Sequence, residues 1–539
     1  MRRGLAVAAA LFCAAAAPLR GDAPAAVRCG TLHALLAHPG GAAKTAALAR
    51  PFLDRDLLLP SGRIRVHYTL EGRDAVDPAD VDGNGLPDYI DQVAAALDST
   101  WHLQIDQMGY APPPGDDGEG GGDEYDVYVL DKSPQGFYGL TVPAGGFGLA
   151  TASHLEVDNN FTDPVYRQTR GLDALNVTVA HEFFHAVQFG YYAGRDGLWW
   201  QEACSTWIED VAYPEVDDYL QYIPDFMRQP GRAINNAGFS IENYLYGTAL
   251  FAHFLDRRYG RGLILQIWQE IGRARSPGLE HFDRMVRRFE GGGLAAAVPQ
   301  YALWNFFTDQ RADQERYYPE GAKYAAPALR PLRPAAGVAA RDSGAVDHLG
   351  SAYFVLEPQR RPGGVLIDVD TEEGSWARQL VLVGRDSTEV RPLDDSPVEI
   401  RDWDRYFEIA LVLTSREQRG SGYRYSVSAD YDPELGDGVV QPLALRLEQN
   451  RPNPFRPGAQ PRTLIGFELP EPGDEVRLSI FAADGRLVRR FERGSLPARA
   501  LVQEWDGRNE AGEEVGAGVY YYVLDVDGRR LRRSLALVR

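Results

Sequence analysis

The sequence predicts a multidomain protein in which an α+β domain, made of a mixed sheet and a helical half, is followed by two β-sandwich domains. The chain has 539 residues, well beyond the size at which one hydrophobic core stops growing. Helical periodicity ends at a Pro/Ala-rich linker, residues 324–337. After this linker, short β-rich segments such as "GVLIDVD" and "YFEIALVLTS" are separated by turns, as in sandwich domains.

The chain begins with two arginines, an apolar run and a group of small residues, which is typical of a secretory signal peptide. Strand-like "SGRIRVHYTL" and "YDVYVL" flank a helical pattern, and aromatic helices fill the region before the linker. The predicted segments are a signal peptide at 1–23, a leader segment at 24–60, the α+β domain at 61–323, a β-sandwich domain at 338–433 and a second sandwich module at 445–539.

Composition and charge narrow the possible partners. A net charge of −20 argues against nucleic acid or an anionic membrane, because such partners favour a basic surface. No later segment has the ~18 uninterrupted apolar residues of a membrane-spanning helix, so we expect an exported mature chain, secreted or at the cell surface. Cys29 and Cys204 remain after signal cleavage. They either pair in an oxidising compartment or stay unpaired.

His181, Glu182 and His185 form the pattern H-E-x-x-H within "NVTVAHEFFHAVQFGYY". Residues four apart on an α-helix differ by about 40° around the axis and ~6 Å along it, so both imidazoles can bind one metal ion. Apolar residues cover the rest of the helix, which indicates a buried helix where unpartnered imidazoles would be costly. The pattern favours a zinc site, and the alternative is a pair of core histidines.

Zinc needs a third protein ligand, and catalytic sites leave the fourth position to water. Glu202 and Glu209 lie seven residues apart in "GLWWQEACSTWIED", near one face of a second helix. Here the chain resembles the gluzincin metallopeptidases. Their aminopeptidase N-like branch has a glutamate ligand followed by a small residue, an aromatic and a glutamate, positions that Ala203, Trp207 and Glu209 match. The resemblance implies that Glu202 is the third zinc ligand and that Glu209 orients His181.

Gluzincins also carry a tyrosine three residues before a glycine, and its hydroxyl stabilises the tetrahedral oxyanion. Tyr244 has that position in "ENYLYGTALFAHFL"; Tyr246 is the alternative residue, and core packing is the alternative role. Aminopeptidases of this branch bind the substrate amine with a glutamate in an upstream glycine-containing strand. The corresponding stretch, residues 144–158, has the glycines without a glutamate near them. We therefore expect an endopeptidase whose strand pairs with an extended peptide.

The resemblance to gluzincins implies a secreted zinc endopeptidase that acts on peptide or protein substrates. Glu182 would accept the proton of the attacking water and later deliver it to the leaving amine, so hydrolysis proceeds without a covalent intermediate. The alternative function is a catalytically inactive surface-binding or adhesive protein on the same scaffold. The presence of Glu182 favours the peptidase, because a purely structural zinc ion needs no general base.

A second cation site is predicted in "DVDGNGLPDYID", residues 80–91, which resembles the calcium loop of an EF-hand. Oxygen ligands at alternating positions suit a hard cation. The alternative is an acidic turn in which an aspartate caps the following helix. The predicted calcium ligands are Asp80, Asp82, Asn84, the carbonyl of Leu86, Asp88 and Asp91.

The last module, residues 445–539, resembles Ig-like C-terminal modules of exported proteins, including type IX secretion sorting domains and a domain of flagellar hook-capping proteins. The similarity lies in Asn453-Pro454-Phe455, Trp505-Asp506-Gly507 and Gly518-Val519-Tyr520. It implies an Ig-like fold and a role in sorting or surface attachment through the export machinery. The alternative is an accessory sandwich without a sorting role.

Overall fold

The computed structural model describes most of the chain after the predicted leader. The predicted signal peptide lies outside the described residues, as does most of the leader segment. The described ranges are 27–31, 50–145, 149–236, 243–356, 358, 362–384, 387–394, 396–436, 445–457, 462–469, 472–496 and 500–539.

The first domain is built on a six-stranded mixed sheet with the order β1-β5-β6-β4-β3-β2. Strand β5 runs antiparallel to β6, whereas β6, β4 and β3 are mutually parallel. All side chains of β4 and β6 are buried, as expected for interior strands covered on both faces. The strands are β1 Val27–Cys29, β2 Arg55–Leu58, β3 Ile64–Tyr68, β4 Tyr125–Leu130, β5 Phe137–Pro143 and β6 Ser153–Asp158.

Helices cover this sheet and form the rest of the domain. Helix α1 begins at Asp88, directly after Pro87, and has acidic side chains in its first turn, which suits the positive end of the helix dipole. In helix α2 every residue from Val177 to Phe189 is buried, so this helix runs through the centre of the domain. The helices are α1 Asp88–Trp101, α2 Gly171–Phe189, α3 Leu198–Ala212, α4 Ile223–Met227, α5 Asn243–Gly247, α6 Ala249–Tyr259, α7 Gly262–Ala274, α8 Leu279–Val286 and α9 Leu294–Phe306.

The middle domain consists of two sheets that share one core. One sheet has the order β13-β10-β15-β8, and the other has the order β12-β11-β14-β9-β7. The strand at Leu329–Pro331 pairs in parallel with the strand at Ser351–Leu356. The strands are β7 Leu329–Pro331, β8 Ala340–Val346, β9 Ser351–Leu356, β10 Gly364–Thr371, β11 Trp376–Gly384, β12 Thr388–Pro392, β13 Val398–Ile400, β14 Tyr406–Ser415 and β15 Tyr423–Asp432.

The C-terminal module has a three-stranded and a four-stranded sheet, ordered β16-β17-β20 and β19-β18-β21-β22. Its apolar side chains form a core of their own, centred on Trp505 and Tyr522. The strands are β16 Arg446–Leu447, β17 Thr463–Glu468, β18 Gly473–Ala482, β19 Leu487–Leu496, β20 Ala500–Trp505, β21 Gly518–Val526 and β22 Arg529–Leu537.

The first two domains are joined by a shared apolar contact between α9 and the middle domain. Phe306 stacks on Tyr353 with 6.4 Å between ring centroids, and the Tyr353 hydroxyl donates to the carbonyl of Ala302 at 3.1 Å. Arg311 makes a two-pronged ion pair with Glu408. Because aromatic burial and a bidentate pair act together here, the helical half and the middle domain form one packed unit.

The prediction of a multidomain chain with mixed α and β content and several sheets is confirmed. In the part of the chain that the structure describes, no helix combines the length and apolarity needed to cross a membrane.

Candidate metal centre

Helix α2 places His181 and His185 one turn apart with both imidazoles fully buried. Their Nε2 atoms lie 3.2 Å apart. Helix α3 brings the carboxylate of Glu202 to the same point: its Oε2 lies 3.3 Å from Nε2 of His181 and 3.6 Å from Nε2 of His185. The three side chains predicted to bind zinc are thus brought together by the packing of α2 against α3.

The Glu202 carboxylate is the feature of this centre that most favours a bound cation. It is fully buried, and among the described residues none donates a hydrogen bond to either of its oxygens. An ionised carboxylate out of water is costly unless it is paired or binds a metal. The donor set of two imidazoles and a carboxylate suits zinc.

A thiol completes the cluster, and sequence reasoning missed it. Sγ of Cys29, at the end of β1, lies 3.5 Å from Nε2 of His185, a residue 156 positions later in the chain. The donor atoms of Cys29, His181, His185 and Glu202 all lie within 4.8 Å of one another. Cys204, the other cysteine considered for a disulfide, is a free buried thiol, and so is Cys29. No spacing rule links Cys29 to the histidines, because only the sheet brings them together.

The far ring nitrogens of both histidines are held by hydrogen bonds. Nδ1 of His181 lies 2.6 Å from Oε1 of Glu209, and Nδ1 of His185 lies 2.9 Å from Oε1 of Gln188. Gln188, which the sequence analysis did not single out, donates in turn to the carbonyl of Gln201 at 3.0 Å. Such partners keep Nε2 of each ring directed at the common point.

The electrostatics of the centre favour positive charge. Burial lowers the pKa of His181, but the carboxylates of Glu202 and Glu209 outweigh burial and raise the pKa to about 10. Burial raises the pKa of Glu202, but the imidazoles of His185 and His181 outweigh it and lower the pKa to about 2. The centre therefore stabilises a cation, whether an imidazolium or a metal ion.

Glu182 lies beside the cluster, where α2 meets the edge of the sheet. Its Oε2 accepts hydrogen bonds from the hydroxyls of Thr141 and Thr31, each at 2.9 Å. Strand β5 approaches very closely here: a Cβ on Gly139 would lie 2.8 Å from Cγ2 of Thr178 and 3.1 Å from Cγ of Glu182. Only glycine lets β5 lie this close to the Glu182 side chain.

The two candidate tyrosines occupy different places. The Tyr244 hydroxyl donates to the carbonyls of Arg232 and Ala233, both at 3.3 Å, away from the cluster. The Tyr246 ring lies 6.4 Å from the ring of His181, and its buried hydroxyl bonds to no described residue. Burial, with the charge of Glu202, raises the pKa of Tyr246. Helix α5 therefore places Tyr246, the alternative residue, near His181, whereas the hydroxyl of Tyr244 is bonded to backbone carbonyls.

The strand expected to pair with a peptide is also different from the one predicted. Strand β6, within the predicted stretch 144–158, lies between β5 and β4 and has both edges paired. The strand next to Glu182 is β5, whose outer edge pairs in parallel with β1 through Val27 to Phe137 and Cys29 to Gly139. Strand β5 is therefore also paired on both edges, with β6 on one side and β1 on the other.

The predicted calcium loop is exposed and folds around Asp80. The carboxylate of Asp80 accepts hydrogen bonds from the backbone N–H groups of Gly83 at 2.8 Å, Asn84 at 3.1 Å and Gly85 at 2.9 Å. The amide of Gly85 is the main reason that the pKa of Asp80 is lowered.

Three of the predicted calcium ligands converge. Oxygens of Asp80, Asp82 and Asp88 lie within 4.8 Å of one another. The side-chain Nδ2 of Asn84 donates to Asp82 at 3.2 Å and to Asp91 at 3.0 Å. Leu86 is the remaining predicted ligand; its backbone N–H donates to Oδ1 of Asn84 at 2.7 Å.

Comparison with known proteins bears on the C-terminal module. Residues 457–528 match the family model for the FlgD Ig-like domain. The basal-body rod modification proteins FlgD of Salmonella typhimurium and Salmonella typhi are each 41% identical over 58 residues, which are 11% of this chain. The chain spans 25% of the length of these curated relatives.

Three solved structures to which the chain is similar each cover 21% of it or less. FlgD from P. aeruginosa has 20% identity, with 14% of this chain and 60% of that chain covered and a TM-score of 0.12. PliG of Salmonella Typhimurium, a periplasmic inhibitor of g-type lysozyme, has 15% identity, with 19% and 97% covered and a TM-score of 0.15. PorZ of Porphyromonas gingivalis has 20% identity, with 21% and 14% covered and a TM-score of 0.14.

Proposed function

We propose that the chain is an exported zinc-dependent endopeptidase of the gluzincin type. The observation that carries the proposal is the convergence of His181, His185 and Glu202 on one buried point, with the carboxylate of Glu202 left without a hydrogen bond from any described residue. Zinc bound there would supply Lewis-acid chemistry, polarising a carbonyl and lowering the pKa of water.

Glu182 is the proposed general base. It follows the ligand His181 directly, and its Oε2 is held by the hydroxyl of Thr141 at 2.9 Å. Its Oε1 accepts no hydrogen bond from the described part of the chain, so one oxygen is available to water. Glu182 takes the proton of the attacking water and gives it to the leaving amine, which is general base and then general acid catalysis.

Tyr246 is the proposed oxyanion donor. Its hydroxyl is buried and bonds to none of the described residues, while its ring lies 6.4 Å from the ring of His181. Burial and the nearby Glu202 raise its pKa, so Tyr246 keeps its proton and can donate it as a hydrogen bond. Such a donor stabilises the charge that develops on the carbonyl oxygen.

The edge of the sheet favours cleavage inside a peptide substrate over removal of its terminal residue. The outer edge of β5, which pairs with β1 in this structure, lies beside Glu182, and an extended peptide would pair there in place of β1. Glu156, the glutamate of the neighbouring β6, accepts a hydrogen bond from Nζ of Lys132 at 2.6 Å. Because this carboxylate is already paired, it is unsuited to hold a free substrate amine, and endopeptidase specificity follows.

Glu182→Gln tests the peptidase. The amide keeps the size of the side chain and can still accept from Thr141, but it cannot take a proton, so we expect about one zinc ion per chain and loss of most turnover. His185→Ala should lose the metal. Zinc content and cleavage of an internally quenched, N-terminally blocked peptide are measured, with and without Cys29→Ala, which removes the thiol at the buried centre.

Equal cleavage by Glu182→Gln and its parent, or no zinc in the parent, would contradict the peptidase. The alternative would then stand: a surface-binding or adhesive protein on a metallopeptidase scaffold.

Tyr246→Phe tests the oxyanion donor. We expect normal zinc content and normal substrate affinity, but a chemical step slower by roughly two to three orders of magnitude, the range for removal of one oxyanion donor. Tyr244→Phe is the matched control, because its hydroxyl bonds to the carbonyls of Arg232 and Ala233. Single-turnover kinetics decide between them, and a slow Tyr244→Phe with a normal Tyr246→Phe would reverse the assignment.

We also propose that the loop at residues 80–91 binds a structural calcium ion. At free calcium 100-fold above the dissociation constant, binding stabilises the folded state by about 2.7 kcal/mol. Calcium should therefore raise the melting temperature of the parent, and a calcium titration should show binding. Asp82→Ala should abolish both effects, whereas Asp98→Ala, an exposed change on α1, should keep them. A calcium-dependent melting temperature in Asp82→Ala equal to that of the parent would exclude the site.

The C-terminal module is proposed to direct sorting or surface attachment through the export machinery. It matches the FlgD Ig-like domain over residues 457–528 and has its own core. Deletion of residues 445–539 should therefore misplace the protein in the producing cell while zinc content and peptide cleavage stay unchanged. Cell fractionation measures this, and normal placement of the shortened chain would reduce the module to an accessory domain.

A further inference from the structure

The segment from Cys29 to Thr31 fills the proposed catalytic centre. Strand β1 lies in parallel register along β5. The N–H of Gly30 donates to the carbonyl of Gly139 at 2.8 Å, and the N–H of Thr141 donates to the hydroxyl of Thr31 at 2.6 Å. The segment thus uses the same backbone edge that an extended substrate would need.

This segment contacts both the proposed zinc ligands and the proposed general base. Sγ of Cys29 lies 3.5 Å from Nε2 of His185, at the point where the zinc ligands meet. Two residues later, the Thr31 hydroxyl donates to Oε2 of Glu182 at 2.9 Å, the carboxylate proposed as general base. The N–H of Thr31 also donates to the Cys29 sulfur at 3.3 Å, which orients the thiol.

Gly30 lets the segment lie this deep. A Cβ at this position would be 2.8 Å from Cδ2 of Phe137 and 2.9 Å from Cβ of Leu140. Both atoms belong to β5, and the Leu140 Cβ cannot move without its strand. Only a residue without a side chain therefore allows the thiol and the hydroxyl on either side of it to reach the centre together.

The resulting centre is closed. His181, Glu182, His185 and Glu202 each have 0% exposure, so no substrate reaches them. Four protein ligands without an open position are typical of a structural zinc site, whereas a catalytic site keeps a position for water. The oxygens of Glu202, to which no described residue donates a hydrogen bond, favour a cation at this point independently of the thiol.

We propose that Cys29 is a fourth zinc ligand and that the segment Cys29–Thr31 holds the enzyme in a latent form. This inference rests on the proposed peptidase function. Cys29 binds as the thiolate, and its proton passes to solvent. Displacement of the segment would return a proton to the sulfur and open the centre to water.

The chain after this segment has its own attachment to the domain. The guanidinium of Arg50 pairs with Asp116 and Asp126, and its Nε lies 3.3 Å from Glu119. If residues 27–31 lose their contacts, Arg50, the next described residue of the chain, therefore stays attached to the domain. Displacement of the segment is compatible with an otherwise intact domain.

The ligand is tested first by cobalt substitution in the chain that retains residues 24–60. A thiolate bound to cobalt(II) produces a sulfur-to-metal charge-transfer band in the near ultraviolet. We expect this band in the wild type and in Cys204→Ala, the matched control for a buried thiol outside the cluster. It should be absent in Cys29→Ala. Gly30→Val keeps the thiol but displaces the segment, so it should also lose the band.

Latency is tested on the zinc-loaded forms with the internally quenched, N-terminally blocked peptide. A segment that closes the centre in about 99 of 100 molecules lowers the rate about a hundredfold, so Cys29→Ala and Gly30→Val should raise it by that order. Cys204→Ala should match the wild type. Adding Glu182→Gln to Cys29→Ala should abolish the gain, which shows that the new activity belongs to this centre.

The outcomes separate this inference from the function on which it rests. A wild-type chain that cleaves as fast as Cys29→Ala, or that shows no charge-transfer band, overturns the inference and leaves the peptidase standing. A band that Cys29→Ala removes, with no cleavage by any variant, overturns latency and the peptidase together and leaves a structural metal site. Loss of the charge-transfer band in Cys29→Ala and Gly30→Val, together with a large gain in their cleavage rate, supports both the latent form and the peptidase function.

Discussion

The burial of helix α2 is the constraint on which the rest of the first domain depends. Every residue from Val177 to Phe189 is out of water, yet the helix carries two imidazoles and a carboxylate there. Polar groups in such a place destabilise the fold unless each finds a partner. The surrounding elements are arranged to provide these partners, so the stability of the domain and the geometry of the centre come from the same contacts.

Each partner comes from a different part of the chain. Helix α3 supplies Glu202 and Glu209, strand β5 supplies Thr141, and the segment after β1 supplies Thr31. No described residue donates to the carboxylate of Glu202, and Oε1 of Glu182 and the hydroxyl of Tyr246 likewise lack a described partner. Buried polar groups without partners are costly, so this arrangement favours a cation at the centre.

The close packing at β5 has a consequence for regulation. Gly139 brings the strand against Glu182, and Gly30 brings the N-terminal segment against the strand. Both contacts depend on missing side chains, so backbone edges meet at the point where chemistry would occur. If the proposed peptidase function holds, a peptide substrate and the N-terminal segment of the same chain would compete for this one edge. The same edge of β5 would thus serve both substrate binding and inhibition by the N-terminal segment.

The domains downstream are coupled to this centre to different degrees. The middle domain shares an apolar contact with α9 through Phe306 and Tyr353, so it stabilises the helical half directly. The C-terminal module instead encloses its own core. A module with its own core is typical of a separately folding domain, which fits the proposed attachment role better than a role at the candidate metal centre.

The sequence by itself determined the features that depend on local periodicity. The structure brings His181, His185 and Glu202 together and places Glu209 beside His181, and in the loop at 80–91 it gathers oxygens of Asp80, Asp82 and Asp88. The change from helical to β-rich segments near the Pro/Ala-rich linker likewise marked the domain order, because composition and period change together there.

Tertiary structure alone decided which tyrosine faces the centre, which strand offers the edge and which thiol joins the ligands. Tyr244 and Tyr246 differ by two residues, so the direction of a five-residue helix separates them. Cys29 reaches His185 across 156 positions through the pairing of β1 with β5. Sheet order and helix docking are set by burial summed over the whole domain, and no local pattern in the sequence records them.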